Sequence, residues 1–422
     1  MQILKLAWRN IWRNRRRALI TMASVLFAVF FCSVMSSYMK GMWGGMIKNT
    51  LLTQSGHIEI HGTGYWDDKN IDNFLTMSNS TIERLRAIEN VENVSPRVET
   101  FALVSYGSVS KGIGIIAVSP KQENAKSHLA NHIVQGKYFD ETDDGILIGE
   151  ALAKYLKATL GDTLAFIGQG HFGASAAGLF PIRGILRLPM PNMDNSLVYM
   201  TLPAAQNFID LPDGYSGILI SLKNDKEKKL YETMNIVAQQ LADGNSNFSQ
   251  KNNTDKDKLS VGNYEVFSWH FTMQRLLQSA ASDQAFGKIV LFILYMIVGF
   301  GILGTVIMLT NERRRELRTM ISLGMSRGKL TVVTILELML MAVLGLIAGL
   351  AIALPVSYYF YFNPIKISGK MGKMFLDVGM DPLISFSVDS QIFITQAIIV
   401  LFLAIIAVIY PIRFIKKLKL NG

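Results

Sequence analysis

Three short stretches of this 422-residue sequence carry residue types that could bind a metal ion or a phosphate group. In the first stretch His57, Glu59 and His61 alternate, so on a β-strand they would share one face and could ligate a metal. The alternative is a strand whose Ile58 and Ile60 face the core while the polar trio faces water. We favour that alternative and predict no metal site.

The other two stretches resemble ligand-binding loops but depart from them at essential positions. Residues 68–72 alternate Asp, Asn and Asp like a calcium loop, but Asn73 replaces its Gly and Asn79 replaces its bidentate Glu, so we predict a polar turn. Residues 324–329 have three residues between their glycines instead of four, and no hydroxyl residue follows the Lys. We therefore expect no cofactor on this chain, and we predict that it is not an enzyme.

Positive charge is concentrated in three short segments, each next to a long apolar run. Sixteen of the 42 Lys and Arg residues lie there: Lys5, Arg9, Arg13, Arg15, Arg16 and Arg17; Arg313, Arg314, Arg315, Arg318, Arg327 and Lys329; Arg413, Lys416, Lys417 and Lys419. Only Glu312 and Glu316 oppose them, so the segments carry +14 and the remainder −4 of the net +10. This asymmetry is the positive-inside pattern of membrane proteins, and it favours membrane anchoring over nucleic-acid binding.

Four apolar runs are long enough to cross a membrane, since a bilayer core of roughly 30 Å needs about 20 residues of helix. They occupy residues 18–39, 288–310, 331–355 and 392–412. With four spans, the basic segments at 1–17, 311–330 and 413–422 all fall on one side, which is the cytoplasm. Residues 40–287 and the shorter loop 356–391 then lie outside.

The first 17 residues predict an amphipathic helix lying in the headgroup layer. Leu4, Trp8, Ile11 and Trp12 fall on one face and basic residues on the other. The apolar run that follows is too long for a cleaved signal peptide. It contains Cys32, the one cysteine of the sequence, so we expect no internal disulfide.

The outer segment predicts a mixed α/β domain, so the expected fold is a four-helix membrane protein with a large extracytoplasmic α/β (α+β) domain between helices 1 and 2. Predicted strands lie at 57–60, 94–106, 112–118, 163–167, 181–186, 197–201, 217–222 and 264–269. Predicted helices lie at 80–89, capped by Ser80, and at 149–157, 226–241 and 272–286, and the polar stretch 244–258 predicts a flexible loop. The element order suggests one layer from residues 56–120 and 213–270, with a β-rich unit inserted at 121–212.

The loop between the second and third spans carries the strongest mechanistic signal. Asn311 can cap a short helix with Glu312 in its first turn, Gly324 would end that helix, and Ser326 can cap the next one. The apolar stripe of this helix comprises Leu317, Met320 and Ile321. An amphipathic helix between two spans is either a docking surface for a motor protein or a helix resting on lipid headgroups.

Glu337 is an ionisable residue inside the third span, which makes it a functional candidate. It lies about 10 Å beyond Leu330, so it could pair with an Arg of the basic loop or take part in coupling. Gly345 and Gly349, four residues apart in the same span, permit close helix packing within the chain or between two chains.

The loop sequence from Glu312 onward, ERRRELRTMISLGMSR, resembles the signature of FtsX-like ABC-transporter permeases, and Glu337 sits where that family has its third-span Glu. Residues 133–139, 146–153 and 160–164 resemble the periplasmic domain of macrolide-exporter and lipoprotein-releasing permeases, and the opening residues 6–17 are also similar. The likeness extends over essentially the whole chain and indicates the type VII, mechanotransmission superfamily.

The resemblance implies a bacterial inner-membrane complex of two permease chains, identical or different, and a separate ATPase that holds the ATP and Mg²⁺. The ATPase would dock on Glu312, Arg313, Arg314, Glu316, Leu317, Arg318, Met320, Ile321 and Gly324. Stalk helices would move a porter-like part and the inserted subdomain of the periplasmic domain. We expect release of lipoproteins toward a periplasmic carrier.

A possible cargo groove for acyl chains is lined by Phe27, Phe30, Phe31, Met35, Leu291, Leu294 and Met296, although these could equally be ordinary lipid-facing residues. Two other functions stay open. One is an exporter of small molecules or peptides that works with a periplasmic adaptor. The other is a non-transporting activator of a periplasmic hydrolase.

Overall fold

A computed structural model of the chain describes residues 2–13, 15–53, 55–188, 191–242, 255–369, 372 and 383–417. Most of the predicted loop at 244–258 and the last five residues of the chain lie outside this part. The chain divides into two compact units. One comprises residues 1–45, 279–367 and 383–422, and the other comprises residues 46–278 and 368–382.

The helices are numbered here along the chain. They are α1 (Gln2–Arg13), α2 (Arg15–Thr53), α3 (Tyr65–Asp68), α4 (Asn79–Arg86), α5 (Pro120–Ser127), α6 (Glu150–Leu156), α7 (Pro191–Ser196), α8 (Leu202–Ile209), α9 (Glu227–Leu241), α10 (Trp269–Thr272), α11 (Gln274–Glu312), α12 (Arg314–Ser322), α13 (Arg327–Phe362) and α14 (Ser390–Lys417). Among the described residues, four helical segments are long and apolar enough to cross a membrane: Ala18–Lys48, Gln274–Glu312, Arg327–Phe362 and Ser390–Lys417. These confirm the four predicted spans.

Two glycines bring the first and third spans into close contact. A Cβ on Gly345 would lie 2.6 Å from the carbonyl oxygen of Met22, and one on Gly349 would lie 2.8 Å from that of Leu26. Only residues without a side chain allow this approach of α2 to α13, so the glycine pair packs within the chain. Cys32 is fully buried in α2.

The second span contributes much less to the bundle core. Only 11% of the most apolar 18-residue stretch of this span is buried, against 39% for the corresponding stretch of each of the other three spans. Gly301 and Gly304 have no neighbouring atom within 4 Å of where a Cβ would stand. One side of α11 is therefore open to lipid or to another protein.

The second unit is built on an eleven-stranded sheet within the described residues. Its strands are β1 (Ile58–Gly62), β3 (Val91–Tyr106), β4 (Val109–Val118), β5 (Ile133–Gly136), β6 (Ile146–Gly149), β7 (Thr163–Gln169), β8 (Ser175–Leu186), β9 (Leu197–Thr201), β11 (Gly217–Leu222), β12 (Lys258–Val261) and β13 (Tyr264–Ser268). The order is β12-β13-β1-β11-β3-β4-β9-β6-β8-β5, and β7 pairs with both β3 and β8. Two short pairs join β2 (Leu75–Thr76) with β10 (Gly214–Tyr215), and β14 (Ile365–Lys366) with β15 (Leu383–Ile384).

Among the described residues, several apolar cores lie on this sheet, and two of them are the largest. One contains Ile58 and Ile60 of β1 together with Leu85 of α4 and Leu230 of α9. The other contains residues of six strands and two helices: β3, β4, β6, β7, β8, β9, α6 and α8. The α/β fold class is confirmed, whereas the proposed division at residues 121 and 212 stays a prediction.

All predicted strands are found, with bounds that differ by a few residues. The predicted cap of the first helix was wrong, because α4 starts one residue earlier. Ser78 is the cap, and its hydroxyl oxygen accepts the Thr81 backbone N–H at 3.4 Å. Ser80 lies inside the first turn, where its hydroxyl contacts that of Ser78.

Candidate functional site

The loop between the second and third spans forms a helical hairpin whose first bend differs from the prediction. Helix α11 continues through Asn311 to Glu312, so Asn311 does not cap the next helix. The capping position of α12 is Arg313, without a side-chain capping bond. Gly324 has a φ of 94°, a left-handed conformation that ends the helix as predicted. Ser326 occupies the capping position of α13, but its side chain makes no capping bond.

The apolar stripe of α12 faces the protein and not an outside partner. Leu317 is buried and packs with Leu330 and Ile415, and Met320 and Ile321 pack against the same cluster. These three predicted docking residues therefore attach α12 to the bundle. Arg318 beside them is half-buried.

The outward face of α12 presents other residues. Arg314, Arg315 and Thr319 are exposed, and Leu323 after the last turn is 82% exposed. Glu312 and Glu316 are also exposed. The sequence pattern missed Leu323 because it lies beyond the helical stripe, but a bulky apolar residue just before a helix-ending Gly is a signal that could have found it.

Glu337 forms an ion pair with the loop. It is 4% exposed, and its Oε2 lies 2.6 Å from Nη1 of Arg313. Arg313 stands at the start of α12, so this pair links α12 to the third span. Of the two possibilities left open for Glu337, the structure shows the ion pair, and a coupling role stays a prediction.

The amino-terminal helix packs on the bundle more deeply than predicted. Ala7, Asn10 and Ile11 of α1 are buried, while Trp8 and Trp12 remain 43% and 55% exposed. On the predicted apolar face, Ile11 thus contacts the protein, whereas Trp8 and Trp12 face the surroundings. The Leu4 side chain lies outside the described part of the chain. Arg13, the last residue of α1, donates from Nη2 to Oε2 of Glu316 at 3.1 Å, which ties α1 to α12.

The seven predicted groove residues do not share one environment. Phe27, Phe31 and Met296 are exposed, whereas Phe30 packs in a cluster with Ala353 and Phe393. Met35 and Leu294 are half-buried. Leu291 lines a cavity in the membrane unit.

That cavity has a volume of about 580 Å³ and lies between α2, α11 and α14. Its apolar wall comprises Met39, Leu291, Phe292, Ile392 and Ile399. Its polar side holds a hydrogen-bonded chain in which the Tyr295 hydroxyl donates to Gln396 Oε1, and Gln396 Nε2 donates to Ser36 Oγ at 2.9 Å. Lys40, which is ion-paired to Asp389, and the exposed Lys288 also line it. The combination suits an amphiphile with an apolar chain and a polar head.

Two residues of the polar trio, Glu59 and His61, are buried on β1, contrary to the prediction, whereas His57 precedes the strand and is half-buried. Glu59 and His61 are 6% and 5% exposed, because the second face of the sheet is also covered. Nδ1 of His57 accepts the Leu222 backbone N–H at 3.1 Å, and burial lowers the pKa of that ring. Among the described residues, no group of three or more acidic, His or Cys side chains is placed to hold a metal ion.

The stretch at 68–72 forms a polar turn. Asn70 Oδ1 accepts the Asp72 backbone N–H at 3.1 Å, closing a tight turn over Ile71–Asn73. The Asp72 carboxylate in turn accepts the Phe172 backbone N–H at 2.7 Å. The side-chain oxygen of Asn70 thus holds the turn, and the carboxylate of Asp72 holds a neighbouring loop.

Two family models match the chain. The MacB-like periplasmic core domain matches residues 18–232, and the FtsX-like permease C-terminal domain matches residues 288–420. The first match covers half of the chain, and the two together extend from the first span to the last. The chain therefore belongs to the FtsX-like ABC-transporter permeases with a MacB-like periplasmic core, a membrane-spanning subunit class of the bacterial inner membrane.

Individual relatives resemble parts of the chain. It is 28% identical over 147 residues to the lipoprotein-releasing system transmembrane protein LolE of Haemophilus influenzae, covering 33% of this chain and about a third (35%) of LolE. The periplasmic region of MacB from Actinobacillus actinomycetemcomitans is 12% identical, covers 56% of this chain and 98% of that one, and has a TM-score of 0.36. The extracellular domain of YknZ, a noncanonic ABC-type transporter from Gram-positive bacteria, is 15% identical, with coverages of 43% and 92% and a TM-score of 0.32. TM-scores below 0.5 do not establish a shared fold.

Proposed function

We propose that this chain is the permease subunit of a complex that releases lipoproteins from the inner membrane toward a periplasmic carrier. The observation that carries the proposal is the cavity between α2, α11 and α14. Its apolar wall suits an acyl chain, and its Lys, Gln and Thr side chains suit the polar part of an acylated protein at the membrane surface. The similarity to part of LolE supports the same class of cargo.

In this proposal a separate ATPase, which holds the ATP and Mg²⁺, docks on the outward face of α12. Arg314, Arg315, Thr319 and Leu323 are available for that contact. The termini lie on the same cytoplasmic side, because the basic segments flank the spans there. The pairs Arg313–Glu337 and Arg13–Glu316 would carry a displacement of α12 to the third span and to α1.

A second permease chain would pack against the second span. That span is the least buried of the four, and its exposed residues include Phe292, Ile297 and Phe300 beside the open Gly301 and Gly304. Small residues on an open helix face permit close packing of another helix. Whether the second chain is identical or different is decided by purification of the tagged complex.

Filling the cavity tests the cargo. In liposomes holding the purified permease and its ATPase, Leu291→Trp should lower the release of a fluorescently labelled lipoprotein at least fivefold and leave basal ATP hydrolysis unchanged. The matched control is Ile398→Trp on α14, whose side chain is 62% exposed and does not line the cavity. Normal release by a folded Leu291→Trp variant would refute the acyl site.

Proteins retained with the tagged chain test the wider assignment. Co-purification of an ATPase with acylated proteins is expected. If an ATPase is retained together with a periplasmic adaptor, the function is export of small molecules or peptides and not lipoprotein release. If an ATPase is retained together with a cell-wall hydrolase, the function is activation of that hydrolase across the membrane.

A further inference from the structure

A second cavity, of about 360 Å³, lies within the periplasmic domain. It faces the side of the sheet that carries Glu59 and His61, because Ile58 and Ile60 alternate with them and point into the opposite apolar core. Ile116, Met193 and Leu197 form part of its apolar wall. Its volume is at the lower end of the range for small-molecule pockets, about 300–1,000 Å³.

The buried Glu59 and His61 form a hydrogen-bonded pair. Nδ1 of His61 lies 2.6 Å from the Ser216 carbonyl oxygen, which only accepts, so that nitrogen carries a hydrogen. Nε2 lies 3.0 Å from Oε2 of Glu59, and Oε1 of the same carboxylate accepts a hydrogen bond from the Ser55 hydroxyl. Burial raises the pKa of Glu59, but the hydrogen bonds and the charge of His61 outweigh burial and leave it below its usual value. Both ring nitrogens of His61 therefore face oxygen acceptors.

Arg97 and Lys126 are held on protein groups. Arg97 is 2% exposed, and its guanidinium lies 3.1 Å from Glu123 and 3.2 Å from Glu99. Lys126 donates from Nζ to the Ser55 carbonyl oxygen at 2.5 Å. Arg97 is thus engaged by two carboxylates, and Lys126 is engaged by a backbone carbonyl.

Lys69 is an exposed lysine on the cavity wall. Its Nζ lies 3.5 Å from the centre of the Trp66 ring and 4.8 Å from that of Tyr65. Within the described part of the chain, no carboxylate oxygen lies within 4 Å of this nitrogen, and nearby Asp67 is exposed. Burial lowers the pKa of Lys69, although Glu99 and Glu59 act in the opposite direction. The cavity therefore presents an exposed ammonium group that forms no ion pair within the described part of the chain.

We infer that this cavity binds a small organic monoanion, a carboxylate with an apolar body. The carboxylate would pair with the Lys69 ammonium, and the apolar body would lie against Ile116, Met193 and Leu197. The aromatic faces of Trp66 and Tyr65 position the ammonium without neutralising it. This site is separate from the acyl cavity in the membrane and does not depend on the lipoprotein proposal.

Three six-carbon probes of different charge test the inference on the full-length protein in detergent. Hexanoate should bind at millimolar concentration or below in ligand-observed NMR and titration calorimetry. Hexanol and hexylamine should bind at least tenfold more weakly. Equal binding of hexanoate and hexanol would mean apolar partition only and would overturn the inference, as would no saturable hexanoate binding.

Variants separate the charge from the shape of the site. Lys69→Gln should weaken hexanoate binding at least tenfold, Lys69→Arg should retain it within about threefold, and the exposed Lys137→Gln should leave it unchanged. Leu197→Trp should block binding by filling the cavity. Unaltered hexanoate binding by Lys69→Gln, or an equal loss in Lys137→Gln, would refute the site.

Discussion

At the scale of single residues, the ion pair between Arg313 and Glu337 joins the start of α12 to the third span. Both side chains are largely buried, and the distance of 2.6 Å is that of a short charge-assisted hydrogen bond. A buried ion pair stabilises a protein little more than apolar residues of similar size would in its place. Removal of one partner alone is strongly destabilising, because the other partner is left as an uncompensated buried charge.

This asymmetry gives the first prediction. Glu337→Gln should destabilise the detergent-solubilised protein by about 3–5 kcal/mol and reduce coupled transport, because Arg313 loses its counter-charge. The double variant Glu337→Gln with Arg313→Gln should recover a large part of that stability. A thermal-unfolding double-mutant cycle measures the effect, with the exposed Glu92→Gln as control. Additive effects of the two single substitutions would exclude a functional pair.

The second prediction separates packing from docking on α12. Leu317→Ala should cost about 2–5 kcal/mol of stability, because its side chain is buried against Leu330 and Ile415. Leu323→Ala should leave stability within about 0.5 kcal/mol and should weaken ATPase binding, because that side chain is 82% exposed. Thermal unfolding and ATPase co-purification distinguish the two effects. Wild-type ATPase binding by Leu323→Ala would show that the motor docks elsewhere.

At the scale of helices, two glycine pairs of similar sequence have different surroundings. Gly345 and Gly349 of α13 contact the backbone of α2, whereas Gly301 and Gly304 of α11 face open space. The sequence pattern alone could not separate these cases, since small residues permit close packing both within a chain and between chains.

The third prediction follows from this difference. Gly345→Leu should lower the unfolding temperature of the isolated chain, because the new side chain would collide with α2. Gly304→Leu should leave that temperature unchanged and should weaken the association of two permease chains. Thermal unfolding and the mass of the complex in detergent provide the two measurements. A stable, normally assembled Gly304→Leu variant would remove α11 from the proposed interface.

At the scale of the whole molecule, the fold could largely be predicted from the sequence, and the sites only in part. Hydropathy and charge sufficed to predict the membrane-spanning helices, because the bilayer imposes a length and an apolar composition on them. The inward direction of Leu317 was missed because amphipathicity does not say which partner covers an apolar stripe. The burial of Glu59 and His61 was missed because alternation predicts two faces, and only the tertiary structure reveals that both are covered.

The fourth prediction concerns the stability of the periplasmic domain as a whole. Burial, reinforced by the charge of Arg97, lowers the pKa of Lys126 to about 8. The unfolded chain then binds more protons than the folded one between about pH 8 and pH 10.5, so stability should rise with pH across that window. Lys126→Met should abolish this rise, and the exposed Lys121→Met on the same helix should retain it. Pulse proteolysis in urea at several pH values measures the difference, and an identical profile for Lys126→Met would refute the assignment.

The burial of Cys32 has a practical consequence. Because the sequence contains no other cysteine and this thiol is 0% exposed, the native chain should be almost silent toward thiol reagents. A cysteine placed at the exposed Leu323 or Phe172 would then be the one reachable thiol in an otherwise natural chain. Labelling such variants with a membrane-impermeant maleimide, in intact and in opened cells, would map which side of the membrane each position faces.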